Sequence, residues 1–200
     1  MRIALTGGIA CGKSLLSKCL SEAGVETLDA DDVVHNLESP GGEAADAVFS
    51  RFGTLDRAEL ASLCFGQDRG HLENRRDLES ILFPLVRKAM LSWCGPRGVS
   101  VCADRPRVAV IPLLFESGWS EDFDFVACVT ASRERQVKRM MENRGMTYEA
   151  AEARIAAQMP VEEKEMRSDW VIRNDGTEDE LKREADRLAA FLKEKCKNEQ

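Results

Sequence analysis

The sequence predicts an α/β fold, and three observations support this prediction. Five short apolar segments alternate with helical patterns along the 200 residues, as in α/β proteins. A glycine-rich motif lies between the first apolar segment and the first helical pattern. About fifty residues between the second and third apolar segments are helical in pattern, which exceeds an ordinary crossover connection. We therefore expect one α/β domain with a helical insertion.

The predicted strands are short apolar segments bounded by glycine, charged residues or turn residues. They comprise residues 2–6, 25–28, 108–111, 125–130 and 170–172. Ser132, Thr147 and the capping box Thr177–Glu180 are predicted to begin the later helices. The residues from Lys193 to Gln200 are expected to fray.

The predicted insertion has helical patterns from Glu43 to about Trp93, without a clear strand. A capping-box pattern at Asp56–Glu59 predicts one helix start, and Pro84 predicts another, because proline is favoured in the first turn. Two interpretations stay open for these helices. They either cover or recognise a substrate, or form a purely structural layer.

The residues Gly7 to Ser14 fit the phosphate-binding P-loop pattern G-x-x-x-x-G-K-[ST]. The glycines let the backbone turn its N–H groups inward and form an anion site at a helix N-terminus. In such a loop Lys13 reaches the β- and γ-phosphates, and the Ser14 hydroxyl ligates Mg²⁺. The alternative is an ordinary glycine-rich turn, which the position between a strand and a helix disfavours. The motif therefore predicts nucleoside triphosphate binding.

Acidic side chains follow the second and third predicted strands, at the sheet edge where α/β proteins bind ligands. Asp29, Asp31 and Asp32 follow the second strand. Helix capping explains one of these three carboxylates, so we expect a catalytic or metal-linked role for another. Glu116 follows the third strand and either contacts Mg²⁺ through water, positions a substrate group, or is a solvated loop acid.

A cluster of cations follows the fourth predicted strand in this acidic chain. Its members are Arg133, Arg135, Lys138, Arg139 and Arg144. Because guanidinium groups suit phosphate oxygens, we expect at least one member to bind phosphate, with a merely solvated face as the alternative. The next residues, 147–168, are rich in charge and poor in large apolar side chains, which predicts a mobile flap.

The composition excludes several classes of function. The net charge of −7 gives a nucleic-acid partner no global electrostatic support, and no apolar run approaches membrane-spanning length. The seven cysteines lack a C-x-x-C pair, which indicates reduced thiols and a cytoplasmic protein. Most of the cysteines are expected to be small core residues, with Cys11 as the exception because it lies inside the P-loop pattern. Cys11 is either a tolerated small residue, which we favour, or a reactive thiol activated by the helix N-terminus.

A set of short motifs runs in a fixed order through nearly the whole chain. The set comprises Leu5–Ile9 with Gly12-Lys13-Ser14, Asp29-Ala30-Asp31 with His35, Leu55-Asp56-Arg57 with Leu60 and Phe65, Pro112–Glu116, Gln136 with Arg139, Arg154-Ile155 with Gln158, and Asp169, Val171-Ile172, Asn174 and Gly176. Each motif alone is weak, but the ordered set is specific. Together they resemble the dephospho-CoA kinase family.

The resemblance implies a P-loop kinase of the NMP-kinase-like type: a three-layer α/β fold with a five-stranded parallel sheet, a helical substrate-binding insertion and a helical lid. The implied divisions are a core of 1–38, 107–135 and 169–200, an insertion of 39–106 and a lid of 136–168. The implied reaction uses ATP and Mg²⁺ to phosphorylate the ribose 3′-hydroxyl of dephospho-CoA, the last step of coenzyme A biosynthesis. We expect a cytoplasmic monomer with this small-molecule substrate and no nucleic-acid or membrane partner.

The resemblance also implies roles for individual residues. Asp31 is the base that orients the ribose hydroxyl, and Lys13 and Arg139 complete the catalytic set. The implied nucleotide site contains Gly8, Ile9, Ala10, Cys11, Gly12, Lys13, Ser14 and Leu15, with Asn174 beside the adenine and Ser14 on the metal. The implied substrate site contains Asp29, Asp31, His35, Leu114 and Glu116.

Several residues depart from the family pattern, among them Arg173, which stands where an acid or neutral residue is common. Ala10 replaces a usual glycine, Leu15 a usual threonine and Phe83 a usual histidine. The changes at Ala10 and Leu15 leave Lys13 and Ser14 intact, so we expect altered affinity rather than lost activity. Phe83 removes a polar group from the substrate side.

Two other functions are compatible with the P-loop alone. One is a different small-molecule or nucleotide kinase on the same core, which the D-A-D motif and the lid residues disfavour. The other is a regulatory nucleotide switch that binds a partner protein. A guanine-specific switch would normally carry N-K-x-D near the fourth strand, which this sequence lacks, and it would not need the large helical insertion.

Overall fold

The computed structural model describes residues 1–64, 66, 68–97 and 105–198. Phe65 of the motif set and Cys102 lie outside the described residues. The chain divides into two compact units, one of Met1–Leu28 with Cys94–Gln200 and one of Asp29–Trp93. Within the described residues, no helix is long and apolar enough to cross a membrane.

A parallel sheet forms the centre of the first unit. Its strands within the described residues are β1 (Ile3–Gly7), β2 (Glu26–Asp29), β3 (Arg107–Val110), β4 (Phe125–Thr130) and β5 (Trp170–Arg173). The order is β2-β3-β1-β4-β5, so β1 is central, and Ile3 pairs with Val108 on one side and Phe125 on the other. Every residue of β1 and β4 is buried, as expected for strands covered on both faces.

Helices make up much of the rest of the first unit and most of the second unit. In the described residues they are α1 (Lys13–Glu22), α2 (Ala30–Glu38), α3 (Ala45–Phe52), α4 (Arg57–Cys64), α5 (Arg69–Cys94), α6 (Arg133–Arg144), α7 (Tyr148–Ala156), α8 (Val161–Met166) and α9 (Glu178–Asn198). Leu16 of α1 and Leu188 of α9 belong to the same buried cluster as Ile3 and Leu5 of β1. The apolar faces of α1 and α9 therefore pack over the central strand β1.

The helix starts predicted at Thr147 and Thr177 are confirmed. The Thr147 hydroxyl accepts a hydrogen bond from Ala150 N, and Thr177 and Glu180 each accept from the backbone N–H of the other. Ser132 occupies the N-cap position of α6, but its side chain makes no capping bond. Its backbone N–H instead donates to the Asp175 carboxylate at 2.8 Å.

Two predicted element boundaries are wrong. Pro84 does not begin a helix, because α5 continues unbroken from Arg69 to Cys94. Leu82 and Leu85 on either side of Pro84 pack in one apolar cluster, which favours helix despite the missing N–H donor. The chain end does not fray from Lys193, because α9 runs to Asn198 and buries Cys196 in the core.

The second unit has a small apolar core of its own. Ala44, Val48, Leu60 and Leu82 are its buried members, and Val34 and Leu37 of α2 pack against them. This packing explains why the compact unit begins at Asp29, whereas the predicted insertion begins at residue 39. The functional division into core, insertion and lid stays a prediction.

Candidate active site

The glycine-rich loop connects the end of β1 to the start of α1. Gly7 ends the strand, and Gly12 precedes the helix in the left-handed region at φ 100°. The Lys13 ammonium donates to the carbonyl oxygens of Gly7 at 2.7 Å and Gly8 at 2.8 Å. The loop thus folds around a cation at a helix N-terminus, which is the arrangement that binds phosphate.

Ala10 adopts a left-handed conformation at φ 56°, which no other non-glycine residue does within the described parts of the chain. A side chain in this region costs about 1–2 kcal/mol. The loop therefore keeps a conformation that glycine adopts readily, and Ala10 bears the strain. Its methyl group packs against the cluster of Val137, Met140 and Ala151, so α6 and α7 contact the loop through it.

Two glutamine side chains hydrogen-bond to the backbone of Ile9 in the loop, one to its N–H group and one to its carbonyl oxygen. Ile9 N donates to Gln158 Oε1 at 2.9 Å, and Gln136 Nε2 donates to Ile9 O at 2.7 Å. A cavity of about 240 Å³ lies beside this contact, lined by Gly8 and Ile9 of the loop and by residues of α6 and the 155–162 segment. The family motifs included Gln136 and Gln158, but nothing in the local pattern indicated their contacts.

Cys11 is fully buried beneath the loop, in the core cluster. Burial raises the pKa of its thiol, and the nearby Lys13 charge only partly opposes this rise. Gln136 Nε2 also donates to the sulfur at 3.2 Å. Cys11 is therefore a core residue, which the sequence did not predict, and its burial and raised pKa disfavour the reactive-thiol alternative.

Arg139 is the member of the cationic cluster that hydrogen-bonds to the P-loop, at Ala10. Its guanidinium donates to Ala10 O at 3.2 Å and to Asn174 O at 2.8 Å. Arg133 instead forms an ion pair with Glu152, and Lys138 lies 3.8 Å from Glu142. The structure thus brings Arg139 and Lys13 together at the same loop.

Asn174 follows β5 and joins this strand to the loop. Its side-chain Nδ2 donates to Cys11 O at 2.9 Å, and its backbone N donates to Thr130 O at 2.8 Å. The Asn174 side chain is buried, and in this structure it holds the loop at the carbonyl group of Cys11. Its predicted position beside the adenine stays a prediction.

Gly12→Ala is expected to destabilise the protein by about 2–3 kcal/mol, from left-handed strain and a lost hydrogen bond. A Cβ at residue 12 would lie 2.3 Å from Asn174 Nδ2, at a backbone φ of +100°. Gly145→Ala is the matched control, because Gly145 has φ +61° and nothing within 4 Å of its Cβ position. Urea unfolding of both variants measures the difference, and equal losses would contradict the proposed contact with Asn174.

The acidic motif after β2 belongs to the second unit. Asp29 caps α2, since its Oδ1 accepts a hydrogen bond from Asp31 N at 2.9 Å. The helix-capping alternative therefore applies to Asp29 and not to the carboxylates of Asp31 and Asp32. Asp31 and Asp32 are exposed in the first turn of α2, and His35 is exposed in the last.

Glu116 is an exposed loop acid whose carboxylate also binds the segment around α8. Glu116 Oε1 accepts from Met159 N at 3.1 Å and lies 2.8 Å from Lys164 Nζ. Leu114, which the resemblance assigned to the substrate site, has its side chain fully buried in the first unit. The substrate roles of both residues stay predictions.

Comparison with known proteins gives consistent matches. A family model described as dephospho-CoA kinase matches residues 1–180. A curated dephospho-CoA kinase from Geobacillus kaustophilus is 38% identical and covers 97% of this chain and 96% of its own length. The solved structure of TT1252 from Thermus thermophilus is 33% identical with a TM-score of 0.75, covering 96% of this chain and 97% of that one.

A more distant solved structure shares the fold. Dephospho-CoA kinase from Campylobacter jejuni is 23% identical, with a TM-score of 0.62 over 96% of each chain. Together with the observed parallel sheet, this likeness confirms the predicted three-layer α/β fold.

Proposed function

The chain belongs to the dephospho-CoA kinase family, and we propose that it transfers the γ-phosphoryl group of ATP to the ribose 3′-hydroxyl of dephospho-CoA. The products are coenzyme A and ADP. The P-loop, in which Lys13 Nζ is held within hydrogen-bond distance of Gly7 O and Gly8 O, supports the use of ATP, and the family match over residues 1–180 supports dephospho-CoA as the acceptor. The family predicted from the ordered motifs is confirmed.

The proposed roles at the nucleotide follow from the charges around the loop. The N-terminus of α1 and the loop N–H groups from Gly8 to Leu15 bind the phosphates, except the Ile9 N–H, which donates to Gln158. Lys13 and Arg139 stabilise the negative charge that spreads over the transferred phosphoryl group, because both cations are held at the same loop. Asn174 supports this arrangement by fixing Cys11 O.

The proposed acceptor side uses the acidic motif of α2. Asp31 orients the 3′-hydroxyl and accepts its proton while the oxygen forms a bond to phosphorus and ADP departs. Asp29 supports Asp31 by capping the helix on which it lies. His35 and Glu116 complete the proposed substrate side, whereas the fully buried Leu114 side chain does not reach solvent in this structure.

The residues present fit a Mg²⁺ ion that is bound mainly through substrate phosphates. Within the described parts of the chain, no group of three or more His, Cys, Asp or Glu side chains could hold a metal. Mg²⁺ in kinases commonly keeps several waters and takes phosphate oxygens as ligands, so one protein hydroxyl suffices. Ser14, exposed in the first turn of α1, would provide it. When bound, the ion would neutralise part of the phosphate charge during transfer.

We also propose that the protein works as a monomer in the cytoplasm. The cysteines in the described part of the chain support a reducing compartment, since they are free thiols and all of them are buried. Light scattering after size-exclusion chromatography tests the oligomeric state.

A substrate panel tests the proposed activity. The protein is incubated with ATP and Mg²⁺ and, in separate reactions, with dephospho-CoA, adenosine, nucleoside monophosphates or pantothenate. We expect ADP release to be stimulated by dephospho-CoA above all others, with coenzyme A as the product. No stimulation by dephospho-CoA, or a stronger response to another acceptor, would overturn the proposal.

A further inference from the structure

Lys164 on α8 has a side chain that is fully buried, with 0% of its surface exposed. Lysine is rarely buried to this extent unless its charge is paired. Its Nζ lies 2.8 Å from Glu116 Oε1 and donates to Pro112 O at 3.2 Å. Both acceptors lie in the segment that follows β3, so Lys164 connects α8 to the residues at the carboxyl end of β3.

The carboxylate that pairs with Lys164 also holds the residues just before α8. Met159 N donates to Glu116 Oε1 at 3.1 Å, and the preceding residue, Gln158, accepts from Ile9 N at 2.9 Å. A continuous path of hydrogen bonds and one peptide bond therefore runs from Lys164 through Glu116 to the P-loop. The segment 158–164 is held at Gln158 by Ile9, and at Met159 and Lys164 by Glu116.

The environment of Lys164 makes Glu116 its counter-charge. Cys128 on β4 lies close to Lys164, but burial raises the pKa of this thiol to about 12, so it stays neutral. Pro112 O is a neutral acceptor that also receives a hydrogen bond from the Thr6 hydroxyl at 3.3 Å. Removal of the Lys164 charge would therefore leave Glu116 without its only close ion pair among the described residues.

The segment that this pair holds forms part of the cavity wall beside the P-loop. Gln158, Met159, Pro160 and Val161 line the cavity of about 240 Å³ together with Gly8 and Ile9. A shift of this segment would change both the cavity wall and the partner of the Ile9 N–H. An ion pair with one buried partner, such as Lys164–Glu116, can add little to stability and still select one arrangement of the chain.

We propose that Lys164 is a positioning residue for phosphoryl transfer, which acts through Glu116 to hold residues 158–164 and thereby the Ile9 peptide of the P-loop. This role rests on the proposed kinase function, because the loop positions the phosphates. Small displacements of positioning groups lower reaction rates strongly. The effect is therefore expected in kcat more than in the KM for ATP.

Lys164→Met tests this role, with Lys182→Met as the matched control. Lys182 lies on α9 in an exposed pair with Glu22 at 3.8 Å. For Lys164→Met, per folded molecule, we expect kcat to fall about tenfold or more and the KM for ATP to stay within about threefold. Hydrogen exchange at the Ile9 and Met159 amides should accelerate, while exchange in β4 stays unchanged. The control should match the wild type in both measurements.

The outcomes separate positioning from simple structural support. A folded Lys164→Met protein with wild-type kcat, or with unchanged exchange at Ile9 and Met159, would overturn the inference. If Lys164→Met does not fold, the double variant Glu116→Leu/Lys164→Met removes the unpaired charge. In that folded double variant, faster exchange at Ile9 supports the inference and unchanged exchange overturns it. Because amide exchange needs no substrate, it decides this point even if dephospho-CoA proves not to be the acceptor.

Discussion

Lys13→Ala is expected to abolish phosphoryl transfer, with kcat about 10³-fold or more below the wild type. The variant removes a cation that the loop holds at 2.7 Å and 2.8 Å from two of its own carbonyl oxygens. Because phosphoryl transfer depends mainly on electrostatic stabilisation of the phosphate oxygens, we do not expect Arg139 alone to compensate for the lost cation. Steady-state assays with saturating ATP and dephospho-CoA measure the change.

Lys18→Ala is the matched control for this prediction. Lys18 lies on the same helix, α1, and is exposed, so its removal changes the net charge equally without altering the loop. We expect near wild-type kcat for this variant. Thermal unfolding of both proteins shows whether each is folded at the assay temperature. A folded and active Lys13→Ala protein would contradict the assignment of the phosphate site.

Asp31→Asn is expected to lower kcat by about 10²-fold or more while leaving ATP affinity nearly unchanged. Asparagine keeps the size of the side chain but cannot accept the proton of the ribose hydroxyl. The backbone of residue 31 still donates to Asp29 Oδ1, so the start of α2 should be preserved. Pre-steady-state product formation and ATP binding by calorimetry measure the two quantities separately.

Asp32→Asn controls for the loss of one negative charge at the same helix end. Asp32 is the next residue and is equally exposed in the first turn of α2. This variant should keep kcat within about threefold of the wild type, since screening weakens exposed charges. Equal losses in the two variants, or no loss in Asp31→Asn, would remove Asp31 from the role of base.

Elements with strong local signals were predictable from the sequence. The strand at 125–130 has the same bounds in the structure, and Thr177 and Glu180 form the expected capping box. Pro84 was misassigned because the local rule on proline does not include the apolar cluster that keeps α5 continuous. The last helix was predicted too short because Cys196 gives little periodic signal by itself.

The position of the P-loop was predictable, because one short motif carries the glycines, the lysine and the serine between a strand and a helix. The contacts of Gln136, Gln158 and Lys164 were not, because each joins residues far apart in the chain. Lys164 lies in a charged stretch that predicted a mobile flap, yet its ammonium donates to a carbonyl 52 residues away. A sequence pattern cannot distinguish one buried lysine from solvated neighbours. The mobility of residues 147–168 stays a prediction.

The central position of β1 has a consequence for how the chain folds. Its first residues pair with β3 and β4, and Arg2 N donates to Asp124, which is 122 residues away. Contacts this distant in sequence carry a large loop-closure cost and slow the folding of a domain. During synthesis, an apolar strand therefore waits unpaired until most of the chain has been made. Folding of this enzyme is expected to be most vulnerable to aggregation in that interval.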